Sequence, residues 1–149
     1  MCHLALSSAK FFKELTDDEP RVAMLPYSTH GSSDTPDAGK VAKATRLVRE
    51  KNPTLLIDGE LQFDSAVVPA VAAIKAPSSS LAGHANIFVF SNLNASNLGC
   101  KIAEKFAGVE LYGAVLRGLA KPINDLSRGC ASRDIVAMAA FTVLQAQKL

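Results

Sequence analysis

Residues 21–51 read RVAMLPYSTHGSSDTPDAGKVAKATRLVREK and contain the pattern that decides the fold. The apolar run 21–25 predicts a short buried strand, and a polar loop of small residues follows it to about Pro36. Within 37–51 the apolar and small side chains recur at helical spacing, while lysines and arginines take the opposite face. The stretch therefore predicts a strand, a loop and a helix in succession, which is the beginning of a parallel β-α-β unit.

The same pattern repeats along the rest of the chain. Further strands are predicted at 54–57, 86–90 and 109–116. A helix is predicted at 4–15, with one face formed by Leu4, Ser8, Phe11, Phe12 and Leu15. Further helices are predicted at 67–74 with Pro69 in the first turn, at 98–106 with Gly108 as a stop, and at 135–147. Strands that alternate with helices predict an α/β fold, with three αβα layers around a mainly parallel sheet. In such folds, ligands bind beyond the carboxyl ends of the strands.

The composition fits one ordinary globular domain. The 149 residues carry 16 basic and 14 acidic side chains, a formal net charge of +2, with 48% hydrophobic and 20% charged residues. This balance excludes disorder as the main state and gives no electrostatic case for a nucleic-acid partner. No run approaches 18 apolar residues, so no segment is predicted to span a membrane.

The first residues and the cysteines predict a cytoplasmic protein. The opening MCHL lacks the charged segment and long apolar core of a signal peptide. Cys2, Cys100 and Cys130 are odd in number and show no C-x-x-C spacing, which argues against a disulfide framework and for a reducing compartment. Cys100 lies between Leu98 and Ile102 on an apolar helical pattern, so it is predicted to pack in a core.

The usual cofactor and metal motifs are absent from the sequence. There is no G-x-G-x-x-G, no G-x-x-x-x-G-K-[ST] and no G-x-S-x-G. His3, His30 and His84 are far apart and have no partner at ligand spacing. We therefore expect neither a metal site nor a tightly bound cofactor.

Two loops carry groups suited to chemistry. The first is KPINDLSRGC at 121–130, followed by Asp134 at the start of the last helix. A Ser-Arg-Gly turn offers a hydroxyl, a guanidinium and free backbone N–H groups, which suit a phosphate or a polarised carbonyl. A helix cap beside a surface arginine explains the same residues equally well. The second loop, 28–32 (STHGS), could bind an anion or could be a flexible loop.

Five blocks of sequence, in order, cover nearly the whole chain: VAMLPYSTHGS at 22–32, LLIDGELQFDSAVVP at 55–69, APSSSLAGHANIFVF at 76–90, NLNASNLGCKIAEKF at 92–106 and GLAKPINDLSRGC at 118–130. Together they resemble consecutive blocks of the phosphate acetyltransferase family. The resemblance is to the carboxyl-terminal half of the phosphate acetyl/butyryltransferase catalytic domain. It implies a truncated two-domain fold of the isocitrate/isopropylmalate dehydrogenase type, usually dimeric. Residues 1–116 would then be the second subdomain, and 117–149 the segment returning to the first.

The resemblance also implies a reaction and its residues. The reaction converts acetyl-CoA and phosphate to acetyl phosphate and CoA, which are then the expected partners. By similarity, Asp134 takes the proton from the CoA thiol, Ser127 hydrogen-bonds the sulfur, and Arg128 holds the acetyl phosphate. The predicted substrate-binding residues lie within the same blocks: Ser28, Asn94, Asn97 and Asn124.

Departures from the family pattern leave alternatives open. Where the family commonly reads P-D-L-N-A-G-N, this chain has SNLNASN at 91–97, and the family's amino-terminal half is absent. The rivals are a phosphate butyryltransferase, a non-catalytic acetyl-CoA-sensing domain and an inactive truncated fragment. The missing half should leave an apolar strip at Ile135, Met138 and Val143 uncovered, so we expect association and weak catalysis by this chain alone.

Overall fold

The computed structural model describes residues 1–147, which form two compact units. The first unit comprises residues 1–98, and the second begins at Gly99. The strands are β1 (Arg21–Leu25), β2 (Leu56–Asp58) and β3 (Ile87–Phe90). The helices are α1 (Cys2–Thr16), α2 (Pro36–Lys51), α3 (Phe63–Val67), α4 (Pro69–Lys75), α5 (Leu93–Phe106) and α6 (Ser132–Gln147).

The three strands form one parallel sheet in the order β2-β1-β3. In this register Val22 of the central strand pairs with Ile57 on one side and with Ile87 on the other. The predicted parallel sheet is confirmed. Because all three strands run the same way, the loops after β1, β2 and β3 leave from the same edge, where α/β folds place their ligands.

Helices cover both faces of this sheet. Val22 and Met24 belong to a core with residues of α1 and α2, whereas Ala23 and Leu25 belong to a second core with Leu61 and residues around α3 and α4. Successive side chains of a strand point to opposite faces, so β1 supplies both cores. The three-layer αβα arrangement is confirmed, and the apolar run RVAML is explained by burial on both faces.

The second helix forms as its pattern predicts. Thr35 precedes α2 and accepts a hydrogen bond from Ala38 N at 3.5 Å, while Pro36 occupies the first turn, where its missing N–H costs nothing. The predicted inner face is confirmed, since its four members are all buried: Val41, Ala44, Thr45 and Val48.

Two other helix predictions are wrong in detail. The buried residues of α1 are Ala5 and Ala9, whereas Leu4 is 58% exposed, because the small alanines form the surface that packs on the sheet. The single helix expected at 67–74 is interrupted at Val68, which has extended φ and ψ angles of −119° and 107°. A proline disfavours helical geometry at the residue before it, so α4 starts afresh at Pro69.

The fourth strand predicted at 109–116 is wrong. Residues 107–131 contain no helix or strand. A strand needs a neighbouring strand to accept its backbone hydrogen bonds, and no described strand pairs with this segment. Cys100 is also exposed rather than packed, as are its apolar neighbours Leu98 and Ile102. The apolar pattern at 98–102 and 109–116 predicted burial of these side chains, but a side chain is buried only where another part of the protein packs against it.

No helix within residues 1–147 combines the length and the apolar character needed to cross a membrane.

Candidate active site

The Ser-Arg-Gly motif forms a tight turn just before α6. The Ser127 carbonyl accepts a hydrogen bond from Cys130 N at 3.0 Å, and the Ser127 hydroxyl oxygen accepts one from Gly129 N at 3.3 Å. Both bonds lie within the turn, and Ser127 remains exposed. Its hydroxyl hydrogen is therefore available for a bond to a ligand.

Asp134 is the third residue of α6 and caps that helix. Its Oδ2 accepts a hydrogen bond from Ala131 N at 2.7 Å, so the side chain reaches back to the residue just before the helix. This is the carboxylate half of a capping box. The capping role foreseen for this segment is thus present, at Asp134. The other oxygen, Oδ1, lies 3.7 Å from Arg133 Nε and makes only a weak ion pair.

Ser127 and Asp134 line the same cavity of about 170 Å³ in the second unit. Gly129 and Cys130 contribute to the same wall. Arg128 does not line the cavity but lies on the same turn, exposed, and no residue described in the structure hydrogen-bonds or ion-pairs with its guanidinium. The motif therefore brings together a hydroxyl and a carboxylate, with an available cation next to them in the chain.

Charged side chains of α5 also line this cavity. Glu104 lies between two lysines, with Oε1 2.6 Å from Lys105 Nζ and Oε2 3.0 Å from Lys101 Nζ. The hydrogen bond from Lys105, followed by that from Lys101, lowers the pKa of the Glu104 carboxyl. All three residues line the cavity. Sequence reasoning missed them because their spacing is that of an ordinary solvated helix face.

Asn124 ties the loop before the motif to α6. Its amide nitrogen donates to Thr142 Oγ1 at 2.8 Å and to Gln145 Oε1 at 2.6 Å, and its Oδ1 accepts from Leu116 N at 2.9 Å. These bonds occupy the side chain, which lies three residues before Ser127 in the chain. Asn124 thus positions the loop that carries the motif.

The loop containing Ser28 binds a carboxylate of its own chain. Ser28 is fully buried, and its hydroxyl donates to Glu60 Oε1 at 2.7 Å. Gly31 N donates to the same oxygen at 2.9 Å, and His30 N donates to the Glu60 carbonyl at 3.1 Å. The backbone N–H groups of Thr29, Ser32 and Ser33 are likewise bonded within the loop. The loop is therefore ordered by Glu60, and its donors are already in use.

A second buried carboxylate lies beside this loop. Asp58, at the end of β2, accepts from Arg49 Nη2 at 2.6 Å and lies 3.2 Å from His30 Nε2. Asp58 and Glu60 are only 3% and 5% exposed. The sequence pattern predicts only a loop for DGE at 58–60, although two carboxylates directly after a buried strand are a usable signal.

Asn94 and Asn97 lie on the first turns of α5, after β3, and both are exposed. The residue that caps this helix is Asn92, whose Oδ1 accepts from Ala95 N at 3.0 Å. Asn94 and Ser28 thus follow β3 and β1 at the carboxyl edge of the sheet. Ser127 belongs to the second unit.

Neither unit contains a metal centre among its described residues, since no group of three His, Cys, Asp or Glu side chains could hold an ion. The three cysteines are free thiols.

These features define a class of protein: a parallel α/β unit joined to a second unit in which a serine turn and a helix-capping aspartate share one cavity. The sequence profile described as Phosphate acetyl/butaryl transferase matches residues 1–143. The chain therefore belongs to the phosphate acetyl/butyryl transferase family.

Individual relatives agree with this assignment. Phosphate acetyltransferases from Acetivibrio thermocellus and Bacillus subtilis are 50% and 48% identical to the chain over 99% and 98% of its length. A phosphotransacetylase structure from Streptococcus pyogenes matches with a TM-score of 0.93 at 46% identity, covering 99% of this chain. A branched-chain phosphotransacylase from Enterococcus faecalis shares the fold, with a TM-score of 0.76 at 19% identity over 97% of this chain.

The chain is much shorter than these proteins. It spans 44% and 45% of the two phosphate acetyltransferases, and 45% and 52% of the two structures.

Proposed function

We propose that this chain carries the acyl-transfer residues of a phosphate acetyltransferase, which interconverts acetyl-CoA plus phosphate and acetyl phosphate plus CoA. The observation that carries the proposal is that Ser127 and Asp134 line one cavity. The Arg128 guanidinium lies on the same turn and pairs with none of the residues 1–147. Identity of about half the residues to phosphate acetyltransferases supports the reaction class.

Each group has a role in the step that forms acetyl-CoA. The CoA sulfur attacks the acetyl carbonyl carbon, the new C–S bond forms, and the C–O bond to phosphate breaks. Asp134 accepts the thiol proton through Oδ1, because Oδ2 is occupied by Ala131 N. Ser127 donates a hydrogen bond to the sulfur, and Arg128 holds the phosphate oxygens as it leaves, a bidentate contact suited to a guanidinium.

The energetics favour a concerted proton transfer. Moving a proton fully from an ordinary thiol to an ordinary carboxylate costs about 6 kcal/mol. Asp134 therefore receives the proton while the sulfur attacks the carbonyl, so that no free thiolate has to form.

The substrates, assembly and compartment follow from the same proposal. CoA, acetyl-CoA, phosphate and acetyl phosphate are the small-molecule partners, in acetate metabolism and without a tightly bound cofactor. A homodimer fits the apolar side chains left exposed on α6, since Ile135 and Val143 are 52% and 56% exposed. Met138, expected to share that strip, is buried instead at 4% exposed. Three free cysteines fit the cytoplasm.

A non-catalytic acetyl-CoA-binding role is the second candidate, and the departure from the family pattern at 91–97 (SNLNASN) favours it. A sensing domain would bind acetyl-CoA without forming acetyl phosphate, an inactive fragment would do neither, and a phosphate butyryltransferase would prefer the longer acyl group.

The test uses a complete enzyme in which this chain replaces the matching part of a full-length relative. Asp134→Asn keeps an acceptor for Ala131 N, so it should lower kcat while leaving the KM for CoA nearly unchanged. Arg128→Ala should raise the KM for acetyl phosphate and also lower kcat. Asp125→Asn is the matched control, an exposed aspartate in the same loop. An Asp134→Asn enzyme with near-normal kcat removes the proposed base.

A further inference from the structure

The charged α5 side chains that line the Ser127 cavity have no role in the chemistry described above. Lys101, Glu104 and Lys105 all line it, facing the same cavity as Ser127 and Asp134. Two ammonium groups and one carboxylate give this part of α5 a local charge of +1. An anionic group entering the cavity would therefore meet two ammonium groups and the Ser127 hydroxyl among its lining groups.

The lysines can exchange their present partner for a ligand. Their side chains are 49% and 68% exposed, and both share the single carboxylate of Glu104. Exposed ion pairs of this kind contribute little to stability, so releasing Glu104 costs little. A phosphate group carries about −1.5 to −2 charge at neutral pH, more than the single charge of the Glu104 carboxylate, so it attracts the two ammonium groups more strongly.

We propose that Lys101 and Lys105 are the phosphate-binding residues of this cavity and hold an anionic phosphate group of the substrate beside Ser127. The inference rests on the proposed function, because it assumes that a phosphate-bearing substrate enters this cavity. Both inorganic phosphate and the 3′-phosphate of CoA offer the required chemistry. Glu104 is the internal counter-charge that holds the lysines in the absence of ligand.

The experiment measures binding of inorganic phosphate, CoA and dephospho-CoA to the purified chain by calorimetry at low salt. Lys101→Gln and Lys105→Gln should each weaken binding about three- to tenfold, since a charged contact is lost. Glu104→Gln should strengthen binding about two- to fivefold, because the local charge becomes more positive. Lys40→Gln is the matched control, an exposed lysine on α2 of the other unit, and should bind like the wild type.

The lysine variants and Glu104→Gln should change the binding affinity in opposite directions, which separates a charge effect from damage to α5. A general disturbance of the helix weakens binding in all three variants, so weaker binding by Glu104→Gln would overturn the assignment. A lysine effect with CoA that disappears with dephospho-CoA assigns the 3′-phosphate, and an effect with inorganic phosphate assigns the transferred group.

Two further outcomes are decisive. Wild-type affinity in both lysine variants overturns the assignment, and so does a lack of binding by the wild-type chain. The proposed function fails on a separate result, namely a complete enzyme containing this chain that makes no acetyl phosphate.

Discussion

The two units differ sharply in how much of their surface they bury. The first unit contains two apolar cores, one on each face of its sheet. In the second unit, among residues 99–147, only Met138 and Gln145 are buried, while Phe106 is 90% exposed and Val136 70% exposed. The first unit can therefore stabilise itself, whereas the second leaves apolar surface in water.

The polar groups of the two units differ in the same way. In the first unit, Glu60 accepts hydrogen bonds from Ser28 and Gly31 in the loop that follows β1, and Asp58 contacts His30 of the same loop. These two carboxylates therefore hold the loop in its folded conformation. In the second unit, Ser127 and Arg128 are exposed and retain donors for a ligand. The comparison teaches that polar groups with free donors lie in the unit that buries less of its surface.

The largest effect should come from adding the amino-terminal half of a relative to this chain. The chain alone should form acetyl phosphate at least about 100-fold more slowly than a mixture with the separately expressed amino-terminal half of a relative, since losing even one preorganised donor costs about 2.7–4 kcal/mol. The measurement is acetyl phosphate formation from acetyl-CoA and phosphate. The amino-terminal half alone is the control. Full turnover by the 149-residue chain alone would contradict this comparison of the units.

The next effect tests the packing of the first unit through Gly59. A Cβ added there would lie 2.6 Å from Met24 Cβ and 2.9 Å from Thr45 Oγ1, at a φ of +153°. Gly59→Ala should therefore lower the free energy of unfolding by about 3 kcal/mol or more, because the core has no room to yield. Chemical denaturation followed by circular dichroism measures this.

Gly39→Ala is the matched control for this substitution. Gly39 lies within α2 and has nothing within 4 Å of an added Cβ, so alanine should stabilise the protein by about 0.5–1 kcal/mol. Equal unfolding free energies for the two variants would show that the region around β2 is not tightly packed.

A third prediction concerns the carboxylate that orders the loop after β1. Glu60→Ala leaves the buried Ser28 hydroxyl and Gly31 N without their acceptor, so it should cost about 2–3 kcal/mol. Faster hydrogen exchange at the Gly31 amide should accompany the loss. Glu50→Ala, on the exposed side of α2, should change stability by less than about 0.5 kcal/mol. Unchanged exchange at Gly31 would mean that Glu60 does not hold the loop.

The sequence predicted the elements whose pattern is local. The strand at 21–25 and the inner face of α2 follow from apolar spacing alone, and the Ser127 and Asp134 candidates follow from one short motif. The strand prediction for 109–116 failed because an apolar run forms a strand only when a neighbouring strand pairs with it. Glu60 was missed because its partner Ser28 lies 32 residues away, a pairing that only the folded sheet creates.

The smallest effect on stability should come from a pH-dependent ion pair in the first unit. Asp64 Oδ2 lies 2.7 Å from Lys75 Nζ, and this hydrogen bond, aided by Ser65 N, lowers the pKa of the Asp64 carboxyl below its ordinary value of 3.8. Its stabilisation is therefore complete above about pH 4 and is lost as the pH falls through the lowered value. Both side chains are exposed by more than a third, so solvent screens the pair to less than about 0.5 kcal/mol.

Lys75→Gln measures this contribution. The variant should unfold slightly more easily than the wild type near neutral pH, and the difference should vanish in strong acid, where Asp64 is protonated in both proteins. Carbon-13 NMR should show the Asp64 carboxyl titrating closer to 3.8 in the variant. Lys43→Gln, an exposed lysine on α2, is the control and should leave that titration unchanged. Identical Asp64 titrations in wild type and Lys75→Gln would show that the ion pair does not persist in solution.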